Sequence, residues 1–451
     1  MKERVIAVFD IGKTNKKIIL FNEKMKVVHE EEQKFPEVLD DDGFECDDLE
    51  RIEKWLLVTV KKIAGSDKFN LTDINITTYG ATIVCLDENG KRITPAYNYL
   101  KPIDEAIAES IYKRHGGRDE FCRRTASPAL GMLNSGMQLL WLKKTKPDLF
   151  ARIRHVLHFP QYLSYTLTGK IYSEHTSLGC HTALWDFDNM TYHQWINTLG
   201  IKLPDPVPVD TFTEIKTDGR NIRVGIGIHD SSSSLAPYFS ESKGKFILLS
   251  TGTWCINMNP FNNEKLTTEQ LDNDCLCYMS INRQPVKSSR LFLGHMHEKG
   301  TSLISDHFDK QEDYFKKVRY DRNLAEFMKK KHLHRSVFFK EEPLGREFRE
   351  RIDMFQFKNF KTAYHQLMNE LGQLTLEAVR LILPENNDIS NIYITGGFSK
   401  NEHFLNRIKE YFPEKRVYRS EISNASALGA ALVISGLRPE VNLGLLEVKG
   451  A

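Results

Sequence analysis

The sequence predicts an α/β protein built from two duplicated halves with a cleft between them. An apolar strand ending in Asp10-Ile11-Gly12 is followed by a polar turn and a second apolar strand, and the same order recurs at Ser250-Thr251-Gly252. Strands are mixed with helices in each half, which is typical of α/β proteins. The 451 residues are enough for two large domains, which we place at 1–222 and 223–451.

In the first half, a helix is predicted from about Leu49 to Ile63, because apolar residues recur at helical spacing. The β-branched run 74–81 predicts a strand that ends at glycine. Two more helices are predicted over 136–144 and 162–167, the second ended by Gly169. The proline-dense segment 203–209 predicts an extended connector without regular structure.

The second half follows the same plan. We predict a strand over 223–228, a hairpin over 246–258 and a long helix over about 360–383 with one buried face. A strand at 392–395 then enters a tight Gly396-Gly397 turn. Ser399 and Glu402 have the spacing of a capping box that opens the next helix.

Composition argues against several classes of partner. The net charge is +2, which gives no support for a nucleic-acid or membrane surface as the main partner. No apolar run reaches the ~20 residues that span a bilayer, and the chain enters its first strand at once, so we expect no signal peptide and a cytoplasmic protein. The 7 cysteines are too few and too irregularly spaced for a disulfide framework.

The two hairpin turns are candidate phosphate sites, because such turns expose backbone N–H groups and hydroxyls at one point. Asp10 ends an apolar strand, where a carboxylate is costly unless it has a partner such as Mg²⁺. The alternative is that Asp10 only stabilises its own turn. The candidate phosphate-binding residues are Gly12, Lys13, Thr14, Asn15, Lys16 and Lys17 in the first turn, and Ser250, Thr251, Gly252 and Thr253 in the second.

Asp230 is the candidate general base. It follows a short apolar strand and precedes four serines, and a carboxylate in such a place can take the proton of a hydroxyl that attacks a phosphoryl group. The alternative is that Asp230 only caps a helix starting near Ser231.

The Gly396-Gly397 turn lets a flat adenine lie against bare backbone. Neither a Rossmann fingerprint nor a P-loop is present. The small residues 424–431 predict a helix that packs closely against a neighbour. His295-x-His297 and Cys275-x-Cys277 have no further ligands at suitable spacing, which argues against metal sites there.

Several motifs, in order, resemble the FGGY carbohydrate kinases of the actin/hexokinase/Hsp70 ATPase superfamily, and most of all the rhamnulokinase- and fuculokinase-like members. The stretches that carry the resemblance are Asp10-Ile-Gly-Lys-Thr-Asn15, Gly136–Lys143, Tyr162–Gly169, Ser173–Asp186, His229-Asp230, Ser250-Thr-Gly-Thr-Trp254 and Gly396-Gly-Phe-Ser-Lys-Asn401. The sequence departs from the family at Gln138, where lysine is frequent, and at Ser231–Ser234.

The resemblance implies two ribonuclease H-like domains and an ATP- and Mg²⁺-dependent kinase, monomeric or homodimeric, that phosphorylates a hydroxyl of a ketose such as L-rhamnulose or L-fuculose. It implies that Asp230 is the base and Asp10 holds Mg²⁺. Further implied contacts are Gly80, Ala81, Thr82, Gln138 and His229 for the sugar, and Gly396, Gly397, Phe398 and Asn401 for adenosine. The alternatives are a pentulose or polyol kinase, a nucleotide-gated sugar sensor, and an actin-like ATPase.

Overall fold

The computed structural model describes residues 2–217, 219–242, 244–332, 336–340, 347–384, 386–436 and 444–448. The strands in this part of the chain are β1 (Glu3–Ile11), β2 (Lys16–Asn22), β3 (Val27–Gln33), β4 (Val38–Leu39), β5 (Glu45–Cys46), β6 (Phe69–Thr78), β7 (Ile83–Leu86), β8 (His155–His158), β9 (Ser173–Glu174), β10 (Trp185–Asp186), β11 (Thr191–Tyr192), β12 (Pro206–Val207), β13 (Phe212–Thr217), β14 (Arg220–Gly225), β15 (Ile228–His229), β16 (Phe246–Thr251), β17 (Cys255–Asn259), β18 (Cys275–Met279), β19 (Pro285–Leu291), β20 (Asn391–Gly396), β21 (Arg416–Arg419) and β22 (Leu446–Glu447).

The α-helices of the described residues alternate with these strands. They are α1 (Leu49–Ala64), α2 (Ala106–Arg114), α3 (Arg118–Thr125), α4 (Ser135–Thr145), α5 (Pro147–Ala151), α6 (Phe159–Thr168), α7 (His175–Leu178), α8 (Asp230–Ser233), α9 (Ala236–Glu241), α10 (Thr268–Asp272), α11 (Leu293–Phe308), α12 (Arg322–His332), α13 (Phe360–Arg380), α14 (Glu402–Tyr411) and α15 (Ala425–Ser435). None of the helices described is both long and apolar enough to cross a bilayer.

Two large sheets organise the chain, and their central strands have the same order. In the first sheet, β1 pairs antiparallel with β2 and β2 with β3, while β6 lies parallel on the other side of β1. In the second sheet, β16 pairs antiparallel with β17 and β17 with β19, while β20 and then β21 lie parallel on the other side of β16. The mixed α/β class is confirmed, and each sheet has a hairpin whose turn lies at the end of its buried first strand.

The predicted domain boundary falls inside β14. This strand and β15 both pair parallel with β6 of the first sheet. A domain boundary that keeps all strands of this sheet in one domain would therefore lie after His229. The division at 222/223 stays a prediction, and it would have to move past His229 to agree with this pairing. A shared apolar core joins the two sheets, because α15 packs with Val8 of β1 and Leu248 of β16 in one buried cluster.

Most predicted elements are confirmed, and three differ in detail. The predicted helices at 49–63, 136–144, 162–167 and 360–383 correspond to α1, α4, α6 and α13, with ends that differ by up to three residues. The predicted strand 74–81 starts earlier, at Phe69, and ends at Thr78. The predicted strand 223–228 is divided, because β14 ends at Gly225 and β15 begins at Ile228. The connector at 203–209 is not wholly irregular, since Pro206–Val207 pairs with Ser173–Glu174.

The predicted capping box at Ser399 is wrong. Ser399 lies in a short 3₁₀ turn, and its hydroxyl donates to the Gly396 carbonyl at 2.7 Å. The cap of α14 is Asn401, whose Oδ1 accepts the Phe404 N–H at 3.1 Å. Residues 397–400 form the 3₁₀ turn after β20 and are not part of α14. The helix therefore begins at Glu402, two residues later than the predicted capping box implies.

Candidate active site

The first hairpin turn spans Gly12 to Asn15 between β1 and β2. The Gly12 N–H donates to the Asn15 carbonyl at 2.9 Å and closes the turn. A Cβ at Gly12 would lie 3.1 Å from that same carbonyl oxygen, so a larger residue would press on the turn. Thr14 is exposed at the tip, and the buried Asn15 Oδ1 has no hydrogen-bond partner among the described residues. The turn therefore offers both groups to a ligand.

The lysines of this turn are not equivalent. Lys16 is fully buried, and its Nζ donates to Asp47 Oδ1 and to the Lys13 carbonyl, each at 2.8 Å. Lys13 Nζ lies 2.9 Å from Asp47 Oδ2 and 2.8 Å from Glu37. These contacts contradict a direct phosphate role for Lys16, because its charge is neutralised inside the first half. Lys17 is only partly covered and contacts Glu30 at 2.9 Å.

Asp10 lies where the two halves meet. Its Oδ2 accepts a hydrogen bond from Ser426 of α15 at 2.9 Å. Burial raises the pKa of Asp10 to about 6, the negative charge of Asp230 adds to the rise, and Ser426 and Lys17 oppose it. A hydrogen bond from residue 426 is not the local turn contact of an Asx motif, so the environment of Asp10 is tertiary.

Asp230 is the first residue of α8. Its Oδ1 accepts the Ser231 N–H at 2.5 Å and the Ser231 hydroxyl at 3.2 Å, while no donor in the described part of the chain reaches Oδ2. Burial raises the pKa of Asp230 to about 6, although these two hydrogen bonds oppose the rise. The carboxylate bonds only the adjacent residue, so it does not make the N2 or N3 contact of a helix cap.

His229 touches four neighbours. Its backbone N–H donates to the Thr176 hydroxyl at 3.0 Å. In the ring, Nδ1 lies 3.3 Å from Ser232 Oγ. The other ring nitrogen, Nε2, lies 3.1 Å from Cys180 Sγ and 3.3 Å from Asp230 Oδ1. Burial lowers the pKa of His229 to about 4, so the ring is neutral near pH 7.

The predicted sugar contacts form one group around this ring. A Cβ on Gly80 would lie 2.7 Å from Cys180 Sγ and 3.3 Å from the His229 ring, so only glycine lets them approach. Ala81 has a left-handed backbone (φ 61°), and its carbonyl accepts Gln138 Nε2–H at 2.7 Å. Thr82 is buried beside them.

Gln138 has one free acceptor. Its Nε2 also donates to the Met132 carbonyl at 2.7 Å, which uses the second amide proton. Its Oε1 is buried, and no donor in the described part of the chain reaches it. A buried acceptor without a donor is costly, and a ligand hydroxyl would satisfy it.

The turn of the second hairpin carries no charged side chain, unlike that of the first. The Gly252 N–H donates to the Trp254 carbonyl at 2.8 Å, and Gly252 and Thr253 are exposed. The Thr251 hydroxyl lies between the Thr395 carbonyl, to which it donates, and the Phe398 N–H, which it accepts at 3.0 Å. Thr251 thereby fixes the Gly-Gly turn to the hairpin, and Ser250 is half-buried beside it.

The Gly396-Gly397 turn has one crowded glycine and one open glycine. Gly396 has φ 82°, and a Cβ there would lie 1.7 Å from the Thr251 carbonyl oxygen, whereas nothing lies within 4 Å of a Cβ on Gly397. Phe398 is buried against His297, with ring centroids 5.3 Å apart. Asn401 caps α14 and donates to Tyr364 at 3.1 Å. The side chains of Phe398 and Asn401 thus act inside the fold, and only the Gly397 side is open to an adenine.

Residues 5–205 match the N-terminal domain of the FGGY family of carbohydrate kinases. The chain is 26% identical over 265 residues to the rhamnulokinase of Mannheimia succiniciproducens, covering 56% of this chain and 52% of that protein. It is 26% identical over 261 residues to the rhamnulokinase of Oceanobacillus iheyensis, covering 55% and 54%. Over residues 5–205, the chain is therefore similar to FGGY carbohydrate kinases. It spans about half the length of these curated relatives in the matched regions.

Solved structures share the fold of this chain over nearly its full length. A carbohydrate kinase from Novosphingobium aromaticivorans superimposes with a TM-score of 0.81 at 22% identity, covering 100% of this chain and 95% of that one. A xylulose kinase from Lactobacillus acidophilus superimposes with a TM-score of 0.74 at 16% identity, covering 99% and 93%. At these identities the likeness concerns the fold.

Several residues of this candidate site were not predicted from the sequence. Asp47 accepts Lys13, Lys16 and the Tyr79 hydroxyl, and Ser426 donates to Asp10. Cys180 and Thr176 both contact His229. Ser426 lies in the small-residue helix that predicted only close packing, and no local pattern distinguishes it from its neighbours.

The donor set fits a magnesium ion. Carboxylate oxygens are the ligands that Mg²⁺ prefers, Asp10 faces the charge of Asp230, and a divalent cation would relieve that repulsion. Asp10 would hold the ion, directly or through water. The His-x-His and Cys-x-Cys pairs lie in other surroundings. His297 Nε2 lies 3.2 Å from the Tyr364 hydroxyl, and Cys275 and Cys277 are buried in β18.

One cavity of about 430 Å³ borders Gln138, whose Nε2 donates to the carbonyl of the lining residue Met132. It is lined mainly by apolar side chains, among them Leu100, Ile103, Leu130 and Met137. Neither Asp10 nor Asp230 lines this cavity. The candidate site is therefore identified by its chemistry and not by the size of a cavity.

Proposed function

We propose that the chain is an ATP-dependent sugar kinase in which Asp230 accepts the proton of the attacking hydroxyl. One observation carries the proposal: Asp10 and Asp230 come from distant parts of the chain but lie close enough for the charge of Asp230 to act on Asp10, and no donor among the described residues reaches Asp230 Oδ2. Burial raises the pKa of both carboxyl groups to about 6. A base with a pKa just below the working pH is unprotonated yet still basic enough to take a proton.

Each part of the proposed site has a role in this reaction. Asp230 presents its free Oδ2 to the hydroxyl, while the backbone turns at Gly12 and Gly252 would approach the phosphates. Bound Mg²⁺ supplies positive charge to the phosphate oxygens. Gln138 Oε1 would accept a sugar hydroxyl, since both its amide protons are already used. Lys17 and Thr14 remain candidates for phosphate contacts.

Two finer features belong to the same proposal. The shared strand order of the two sheets supports two duplicated ribonuclease H-like domains that bind the nucleotide and the sugar between them. The rhamnulokinase relatives favour a ketose such as L-rhamnulose or L-fuculose. A chain of this kind would close on its substrates and so exclude water from the transfer.

A coupled assay of ADP release over a panel of ketoses, pentuloses and polyols tests the proposal. We expect Mg²⁺-dependent release with one ketose or a few, and Asp230→Asn should lower kcat by at least ~10² with little change in ATP affinity. Ser234→Ala is the matched control in the same turn, because its hydroxyl bonds only the Ser231 carbonyl. ADP release that needs no sugar, or filament formation on adding ATP, would contradict a sugar kinase.

A further inference from the structure

The hydrogen bonds around His229 form a chain whose direction can be worked out. Ser232 Oγ lies 2.6 Å from the Met279 carbonyl oxygen and 3.3 Å from His229 Nδ1. A serine has one proton to donate, and a carbonyl can only accept. Ser232 therefore donates its hydroxyl proton to the Met279 carbonyl, because the shorter of two hydrogen bonds is the stronger one.

This direction decides which ring nitrogen of His229 carries a proton. With its own proton on Met279, Ser232 Oγ can only accept from Nδ1, so Nδ1 is protonated. The ring is neutral because burial lowers its pKa to about 4, and a neutral imidazole has a single N–H. Nε2 is then a bare acceptor, and the Cys180 thiol, 3.1 Å away, is its donor.

We infer that Ser232 and Cys180 are positioning residues that hold His229 as the Nδ1-protonated tautomer, so that His229 donates no hydrogen bond to Asp230. This inference rests on the proposed function, since it assigns a role beside the proposed base. Nε2 lies only 3.3 Å from Asp230 Oδ1, and the other tautomer would place a donor there. A hydrogen bond to a carboxylate stabilises its charged form and weakens it as a base.

Two features of the surroundings support the assignment. The His229 N–H donates to Thr176 Oγ1 at 3.0 Å, and that hydroxyl in turn donates to Glu174 at 2.8 Å, so the backbone that carries the ring is fixed. Gly80 provides the space in which Cys180 and the ring meet. The titratable groups that face the ring are Cys180, Asp230, Tyr278, His158 and His181.

The tautomer can be measured without substrates. In the full-length chain with ¹⁵N-labelled histidine, a two-bond proton–nitrogen correlation spectrum separates protonated from bare ring nitrogens, and His229→Gln assigns the signal. We expect a protonated Nδ1 and a bare Nε2 near pH 7.5. A protonated Nε2 would overturn the inference.

Ser232→Ala tests the role, with Ser234→Ala as control. Removing the acceptor of Nδ1–H frees the ring to donate from Nε2, so kcat should fall about three- to tenfold and the acid limb of kcat/KM should move down by about one pH unit. KM for ATP should not change, and Cys180→Ser, which keeps a donor, should keep the wild-type profile. A Ser232→Ala profile that matches Ser234→Ala would overturn the role. If the tautomer is as expected but no sugar is phosphorylated, only the proposed function fails.

Discussion

The first and second hairpins have the same strand order around them, but their turns differ in chemistry. The first turn has Asp10 at its base and three lysines in it or directly after it. Two of these lysines pair with Asp47, and Lys13 also pairs with Glu37. The second turn carries no charge and depends on close backbone packing: a Cβ on Gly294 would lie 2.3 Å from the Gly252 carbonyl oxygen. One fold can thus build an electrostatic turn and a steric turn at equivalent strand ends.

The difference concerns how each turn tolerates substitution. The charged turn depends on long-range ion pairs, whereas the glycine turn depends on the absence of side chains. Substitutions in the charged turn should therefore act through lost ion pairs or ligands, and substitutions beside the glycine turn should act through steric clashes. The following tests compare residues between the two turns or within one of them.

The largest effect is expected at Asp10 and its counterpart Ser250. Asp10→Asn removes the proposed ligand for Mg²⁺, so turnover should fall at least about 10³-fold, which corresponds to the several kcal/mol that such an ion supplies. Ser250→Ala should change turnover less than about threefold. Steady-state kinetics over a Mg²⁺ titration measures both. Equal losses in the two variants would contradict different roles for the turns.

The second effect concerns the glycines beside the uncharged turn. Gly396→Ala places a Cβ against the Thr251 carbonyl in a left-handed backbone, so it should lower the free energy of unfolding by about 3 kcal/mol or more. Gly397→Ala meets open space and should change it by less than about 0.5 kcal/mol. Denaturant unfolding compares the two variants. Gly397→Trp should instead raise KM for ATP, and an unchanged KM would move adenine elsewhere.

The third effect separates the lysines of the charged turn. Lys16→Met leaves the buried Asp47 with one cation fewer, so we expect a loss of about 2 kcal/mol in the free energy of unfolding. Lys17→Met should cost less than about 1 kcal/mol, because its ion pairs are partly exposed, but it should weaken ATP binding. The affinity of Lys17→Met for ATP can be measured by titration calorimetry. An unchanged affinity would contradict a contact between Lys17 and ATP.

The smallest effect is a pH-dependent gain in stability for Asp10→Asn. Asp10 has a folded-state pKa of about 6 against an ordinary value of 3.8, so the cost of burying its charge is absent below about pH 4 and complete above pH 6. Asp10→Asn should therefore raise Tm by about 1 °C at pH 8, which corresponds to about 1 kcal/mol after allowance for partial exposure, and should not raise it at pH 3.5. Ser250→Ala should show no such pH dependence, and a gain at both pH values would contradict burial as the cause.

Local patterns predicted the frame of the site well. The hairpin at 10–17, the hairpin at 246–258 and the Gly396-Gly397 turn are all present, because alternating apolar runs and glycine turns are properties of neighbouring residues. The placement of Asp230 at a strand end was also readable from the sequence, but that strand was assigned to the second half, whereas β15 pairs with β6 of the first sheet. Local patterns gave no means of choosing which lysine of the first turn faces outward.

The sequence by itself determined the α/β class, the two matching hairpins and the likeness of residues 5–205 to FGGY carbohydrate kinases. Only the tertiary structure decided that Lys16 is buried on Asp47, that Asn401 rather than Ser399 caps α14, and that Ser426 bonds Asp10 across 416 positions of the chain. The reason is physical: turns and strands depend on residues a few positions apart, whereas the charge state and hydrogen bonds of a buried group depend on whatever the fold brings against it.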